Sequence, residues 1–250
     1  MPAIDINGFR MHYDVRGEGE ALLLLHGGLG IGDDWRHVFP WDLPGYRLIV
    51  PDLRGHGQST SPPQEFTFKA CASDVWELLQ YLRIDRVKAI GMSLGAKTLL
   101  HLATAHPPCL DAMVLVSATP RFPDPLREAA ARFTREALAR LPTAERDRLR
   151  ARHVHGDDQI ARLYDMTRSF ATSHDDMSFT ATSLGTITAR TLIVHGDHDP
   201  LYPVELAVEL FRGIPASALW IVPNSGHGPI FGDTAAQFRS QALAHLNAST

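Results

Sequence analysis

The 250-residue chain, 44% hydrophobic and 21% charged, has the composition of an ordinary globular protein and the length for one large α/β domain around a single core. A net charge of −4 supplies no field to hold nucleic acid, which leaves a small molecule as the expected partner. The first apolar run, Ala21 to Leu25, is too short for a signal-peptide core or a membrane span, and the two cysteines, Cys71 and Cys109, sit where buried free thiols are expected, so no membrane association and a cytoplasmic location are expected.

Ala3-Ile4-Asp5-Ile6 and Phe9-Arg10-Met11-His12-Tyr13 alternate in character around Asn7-Gly8, the pair best suited to the positive backbone angles of a two-residue turn, so the chain opens with a hairpin. Ala21 to Leu25 and Tyr46 to Val50 are continuously apolar, as parallel strands covered on both faces must be. They run into His26-Gly27-Gly28 and Asp52-Leu53-Arg54-Gly55-His56-Gly57-Gln58-Ser59. From Thr67, the residues Cys71, Val75, Leu78, Leu79 and Leu82 recur at helical spacing, and Val87 to Ile90 returns to strand. Gly91-Met92-Ser93-Leu94-Gly95 follows, then a helix-like run from Ala96 to Ala105 and a further strand, Ala112 to Val116. Strand alternating with helix implies a parallel sheet, and with the strands at Thr191 and Leu219 the count reaches eight. A helix from Asp233 past Phe238, Ala242 and Leu246 closes the chain.

A serine on a tight turn between strand and helix lifts its hydroxyl clear of the sheet if the residues two before and two after it are small; Gly91 and Gly95 meet that demand around Ser93. A serine hydroxyl is a poor nucleophile until a base takes its proton, so a histidine and a carboxylate must lie further along. The strand Thr191-Leu192-Ile193-Val194 ends in His195-Gly196-Asp197-His198-Asp199, and the strand Leu219-Trp220-Ile221-Val222 ends in a turn holding Gly226-His227-Gly228. His227, between two glycines, is the best placed of the thirteen histidines to act as base. Asp199 and Asp197 both stand as its acid. His195 and His198 read as structural or rim residues.

These motifs, each just after a strand and in the order serine, aspartate, histidine, resemble the α/β-hydrolase family over nearly the whole length. The resemblance implies a mostly parallel eight-stranded sheet flanked by helices, with 1–118 and 191–250 as the core domain and 119–190 as a helical cap. It places the acid at the second aspartate of Gly-Asp-x-Asp, which is Asp199, and treats His26 and Arg54-Gly55-His56-Gly57 as supports around the site. It also implies two oxyanion donors, the backbone N–H groups of Leu94 and Gly28, with Leu29 the alternative to Gly28. Family members with aspartate or cysteine at the elbow are excluded by Ser93, and no metal-ligand spacing, phosphate loop or dinucleotide fingerprint implies a metal or a cofactor.

Between Ser117 and Thr191 no strand is evident. Leu126, Ala130, Phe133, Ala137 and Leu141 fall on one helical face broken by Pro142, and a second helix is expected from Asp158 through Ile160, Leu163, Thr167 and Phe170. In the family such an insertion roofs the serine, which nominates Leu29, Phe133, Phe170 and Phe179 as pocket residues. The arginines of this stretch, among them Arg127, Arg135 and Arg150, read as a solvated face rather than a carboxylate site. The reading is a serine esterase cleaving a small or medium carboxylic ester, with perhydrolase, C–C bond hydrolase, lyase and ligand receptor as alternatives on the same fold.

Overall fold

In the computed structural model, which describes residues 2–62 and 65–248, the strands form one eight-stranded sheet in the order β1-β2-β4-β3-β5-β6-β7-β8. These are β1 (Ala3–Ile6), β2 (Phe9–Arg16), β3 (Glu20–Leu25), β4 (Tyr46–Pro51), β5 (Val87–Met92), β6 (Leu110–Val116), β7 (Arg190–Gly196) and β8 (Ser217–Val222). β1 and β2 pair antiparallel around Asn7-Gly8, both at positive φ, and β2 is antiparallel to β4; every pairing from β4 to β8 is parallel.

The uninterrupted apolar strands feed two cores because successive side chains point to opposite faces. Leu23, Leu25, Ile49, Ala89, Leu115 and Ile193 pack into one, with α1 (Phe68–Tyr81), α2 (Leu94–Ala105) and, after β7, α8 (Val204–Gly213). Leu22, Leu24, Leu48, Val50, Val114 and Val194 pack into the other, covered by Trp35, Phe39 and the closing helix α9 (Ala235–Asn247). Cys71 and Cys109 are buried and free. Among the described residues no helix is long and apolar enough to cross a membrane.

Between β6 and β7 lie α3 (Asp124–Ala131), α4 (Arg135–Ala139), α5 (Thr143–Arg152), α6 (Asp157–Ser169) and α7 (Ala181–Leu184). The face from Leu126 to Leu141, which the spacing reads as one helix, is divided. α3 stops at Ala131, and the Thr134 side chain accepts from the Ala137 amide to start α4, so a local cap overrides the periodicity. α6 begins at Asp157, after Gly156 at φ 85°.

This segment is strapped to the carboxyl ends of the strands. The Gln159 amide donates to the carbonyls of Gly55 and Gly57 at 3.0 Å and of Ser59 at 3.2 Å, His153 Nδ1 accepts from the Gly57 amide at 3.0 Å, and Arg152 pairs with Asp34. Further along, Asp176 accepts from the Phe68 amide at 2.7 Å and its carbonyl meets His101 Nε2 at 2.7 Å, tying the segment to α1 and α2.

Candidate active site

The serine turn is built by exclusion of side chains. Ser93 sits at φ 49°, a conformation costly for a non-glycine residue and sustained only where the surroundings dictate it. A Cβ at Gly91 would come within 2.6 Å of the Gly95 carbonyl group, and one at Gly95 would collide with the Leu25 carbonyl. The turn is then anchored on both sides: Ser93 N–H donates to the Val116 carbonyl at 2.8 Å and Gly95 N–H to the His26 carbonyl at 3.0 Å.

Three side chains from three strand ends meet here. Ser93 Oγ lies 2.9 Å from His227 Nε2, and His227 Nδ1 lies 2.8 Å from Asp199 Oδ2. The Asp199 side chain is fully buried, and its other oxygen accepts the amides of Leu201 at 2.8 Å and Tyr202 at 3.1 Å. Burial alone would raise this carboxyl, but the hydrogen bonds from His227 and the two amides outweigh it and hold it below the ordinary aspartate value. The carboxylate therefore stays ionised and keeps the His227 proton on Nδ1, which leaves Nε2 free to accept from Ser93.

Of the two aspartates at this turn, only Asp199 meets the histidine. Asp197 accepts the Ser225 amide at 3.0 Å and pairs with exposed His198 at 3.0 Å. His195 is buried with Nε2 on the Tyr202 carbonyl at 2.9 Å, which shapes the turn holding Asp199.

Leu94 is the first residue of α2, so its N–H has no carbonyl a turn earlier to bond and points with the helix dipole toward the serine side. Gly28 is exposed and faces Leu94, its missing Cβ position 3.9 Å from Leu94 Cδ1. Leu29 beside it adopts φ 56°, in a turn closed by Gly30 N–H to the Gly27 carbonyl at 3.0 Å. His26 ties the neighbouring loops: Nε2 accepts the Leu53 amide at 2.9 Å, so the proton is on Nδ1 and donates to the Gly27 carbonyl at 2.8 Å. Arg54 is buried in a two-point pair with Asp74 of α1, at 2.6 and 2.7 Å, and Asn7 of the hairpin turn joins the same carboxylate.

The aromatic residues nominated from the insertion are distributed. Phe133 packs on Tyr164 at 5.2 Å within the inserted helices, and Phe179 packs on His101 of α2 at 4.8 Å. Phe170 lies among Phe66, Phe68 and Phe122, and this cluster continues toward the serine through Phe68 and Phe122, which flank Lys97.

Several residues of the site carry no signal in a sequence motif. Ser117, one residue past β6, donates its hydroxyl to the His227 carbonyl at 2.8 Å. Asp52, by contrast, opens the motif that follows β4, and it accepts the Gly32 and Gln58 amides at 2.8 Å each. Lys97, one turn after Ser93 on α2, and Tyr202, whose ring packs edge-on against His227, are buried; the signal that was available is the lone lysine in the helix Leu94 to Ala105. Among the described residues no group of three or more His, Cys, Asp or Glu side chains is arranged to hold a metal.

A family model described as the alpha/beta hydrolase fold matches residues 20–234. The chain belongs to the α/β-hydrolase family. It is 26% identical over 242 residues to 2-hydroxy-6-oxo-6-(2'-aminophenyl)hexa-2,4-dienoic acid hydrolase of Metapseudomonas resinovorans, covering 90% of this chain and 83% of that protein. It is 29% identical over 235 residues to the serine hydrolase BPHL of Homo sapiens, covering 90% and 79%. Among solved structures, a meta-cleavage product hydrolase of Pseudomonas fluorescens superposes with a TM-score of 0.80 at 20% identity, covering 99% of this chain and 97% of that one, a likeness of fold.

Proposed function

We propose that this chain is a serine hydrolase that cleaves a small or medium carboxylic ester through an acyl-enzyme intermediate. The observation that carries the reading is the unbroken line from Ser93 Oγ through His227 to the buried Asp199 carboxylate, at 2.9 and 2.8 Å. Ser93 Oγ attacks the ester carbonyl while His227 Nε2 takes its proton, and Asp199 stabilises the imidazolium. The charge that gathers on the carbonyl oxygen is met by the N–H groups of Leu94 and Gly28, whose backbone is held by the elbow and the Gly27–Gly30 turn before substrate arrives. His227 returns the proton to the leaving alcohol, and water activated by the same ring releases the acid. No cofactor or metal takes part in this scheme.

Residues 119–190 act in this reading as a cap, supported by their straps to Asp34, Gly55, Gly57 and Ser59 at the carboxyl edge of the sheet, with Leu29, Phe133, Phe170 and Phe179 shaping the space for the ester. A cytoplasmic location belongs to the same reading, supported by the two free buried cysteines.

C–C bond hydrolysis on the same three residues is the second reading, and the similarity to a dienoic acid hydrolase favours it. A dienoic acid carries a carboxylate and asks for a cation beside the serine. Lys97, one turn after the serine, is buried and donates to Tyr202, and Arg127 spends donors on carbonyls of Phe122 and Ala171, Arg135 on Asp165, Arg150 on Asp157 and Arg152 on Asp34, which supports the uncharged ester. The deciding experiment compares turnover of p-nitrophenyl acetate with that of a 2-hydroxy-6-oxo-dienoate. Faster ester turnover that disappears in Ser93→Ala supports the esterase, and selective dienoate cleavage overturns it.

A further inference from the structure

Lys97 reaches two parts of the active site that lie far apart in the chain. Its amide donates to the Ser93 carbonyl at 3.0 Å, in the first turn of α2, and its Nζ donates to Tyr202 Oη at 2.6 Å. Lys97 is 2% exposed and Tyr202 1%, so the lysine crosses inside the protein from the helix that begins at the nucleophile to the turn after β7.

Tyr202 is the residue of that turn that meets both the acid and the base. Its amide donates to Asp199 Oδ1 at 3.1 Å, its carbonyl lies 2.9 Å from His195 Nε2, and its ring packs edge-on against the His227 ring with centroids 5.0 Å apart. A shift of Tyr202 is therefore felt by Asp199 through one hydrogen bond and by His227 through one ring contact. The 2.9 Å approach of Ser93 Oγ to His227 Nε2 depends on how far α2 stands from this turn, and Lys97 spans that gap.

A lysine is a costly means of filling such a gap, because an ammonium leaves water only where something replaces its hydration. Phe68 and Tyr202 present their rings with centroids 5.0 Å from Nζ and Phe122 does so at 5.8 Å, and the phenol oxygen accepts. Burial draws the ammonium down to about 7, against the pull of Asp199 and Asp176. The amine keeps hydrogens to donate in either charge state, so the bond to Tyr202 does not require the proton it loses. An apolar side chain would pack on the same rings at no such cost. What lysine adds is the directed bond to the hydroxyl.

We propose that Lys97 is a positioning residue of this site: by its bond to Tyr202 it holds the Asp199 turn and the His227 ring in place against the helix that begins at Ser93. The inference rests on the serine-nucleophile reading. Neither Lys97 nor Tyr202 exchanges a proton with the substrate in this account.

The test is a double-mutant cycle on the full chain, with parent, Lys97→Met, Tyr202→Phe and the two together, and with Ser93→Ala as control. Turnover of p-nitrophenyl acetate is measured per active serine, counted by a fluorophosphonate label, and folding is followed by circular dichroism. Each single variant breaks the same hydrogen bond, so each should lower kcat about tenfold with KM within about twofold, and the double variant should stay within about twofold of the slower single variant. A purely structural role would lower the urea midpoint and the number of labelled serines while leaving kcat per serine alone, and that result overturns the inference. A double-variant loss nearer the product of the two single losses, about a hundredfold, means that the residues act independently and also overturns it. If Lys97→Met does not fold, Tyr202→Phe, which removes one oxygen and keeps the ring, decides alone. Parent kcat in a folded Tyr202→Phe, beside an inactive Ser93→Ala, overturns this inference and spares the serine reading. Full turnover in Ser93→Ala overturns both.

Discussion

The hydroxyl of Ser117 donates to the carbonyl of His227 at 2.8 Å, and the Ser117 amide donates to the Val194 carbonyl at 2.9 Å. The loop that carries the histidine thus hangs from the end of β6, the strand beside the one that carries the serine. His227 has glycines on both sides, so its aim depends on such a tether rather than on the loop itself. Ser117→Ala keeps the φ 49° backbone with no new clash but leaves the carbonyl unpartnered. It should cost about 1 to 2 kcal/mol in urea unfolding and lower kcat more than it raises KM. Parent kinetics and stability would show that the tether does not set the aim of His227.

The two aspartates of the β7 turn should separate sharply. Asp199→Asn presents an amide where His227 needs an acceptor, so the ring loses the tautomer that accepts from Ser93; kcat on p-nitrophenyl acetate should fall by about 10⁴ with the fold intact. Asp197→Asn removes a loop contact to the Ser225 amide and an exposed pairing with His198, and should leave kcat within about threefold of the parent. The reverse outcome would make Asp197 the acid.

Acid should destabilise the fold through the histidines around Asp52. Burial is the main cause that holds His26 and His56 below the ordinary histidine value of 6.5 and brings His153 to about 4, so near neutral pH all three are uncharged in the folded chain and gain protons on unfolding as the pH falls. Their contribution is complete above pH 6.5 and is lost as the pH falls toward 4, with a slope near 1.4 kcal/mol per pH unit for each extra proton bound by the unfolded state. Asp52 works in the same sense further down: burial raises it, but His12, at 3.3 Å, and the amides of Gln58 and Gly32 hold it at about 2. Urea unfolding at a series of pH values should show this loss, and His153→Asn, which still offers an acceptor to the Gly57 amide, should make it shallower. A slope unchanged by that substitution would remove His153 from the account.

Phe170 is nearly buried and touches three other rings, so Phe170→Ala should cost roughly 3 kcal/mol of stability. Because its cluster reaches Lys97 through Phe68 and Phe122, the cavity should also shift the preferred acyl chain of p-nitrophenyl esters toward greater length. The same changes at Phe133, which packs on Tyr164, and at Phe179, on His101, should cost less stability. If none of the three variants alters the chain-length preference while folded, these residues do not line the ester pocket.

What the sequence determined by itself is local or periodic. Continuous apolar runs mark strands buried on both faces, Asn7-Gly8 marks a hairpin, and the glycines at 91 and 95 mark a turn too tight for any side chain, because each demand is met within a few residues of where it arises. The same locality carried Ser93, Asp199 and His227, since each stands on a turn immediately after a recognisable strand. The choice between Asp199 and Asp197 was different, because both stand on one turn and only the three-dimensional path of that turn, bent by His195 on the Tyr202 carbonyl, aims one carboxylate at the ring. Tertiary structure alone decided the rest. Ser117 meets His227 across 110 residues of chain and Lys97 meets Tyr202 across 105, and no periodicity encodes a contact whose two halves belong to separate elements. A lysine on an apolar helix face reads locally as a misfit. It becomes intelligible only where folding brings two phenylalanine rings and a phenol around it, because that enclosure is what takes it out of water.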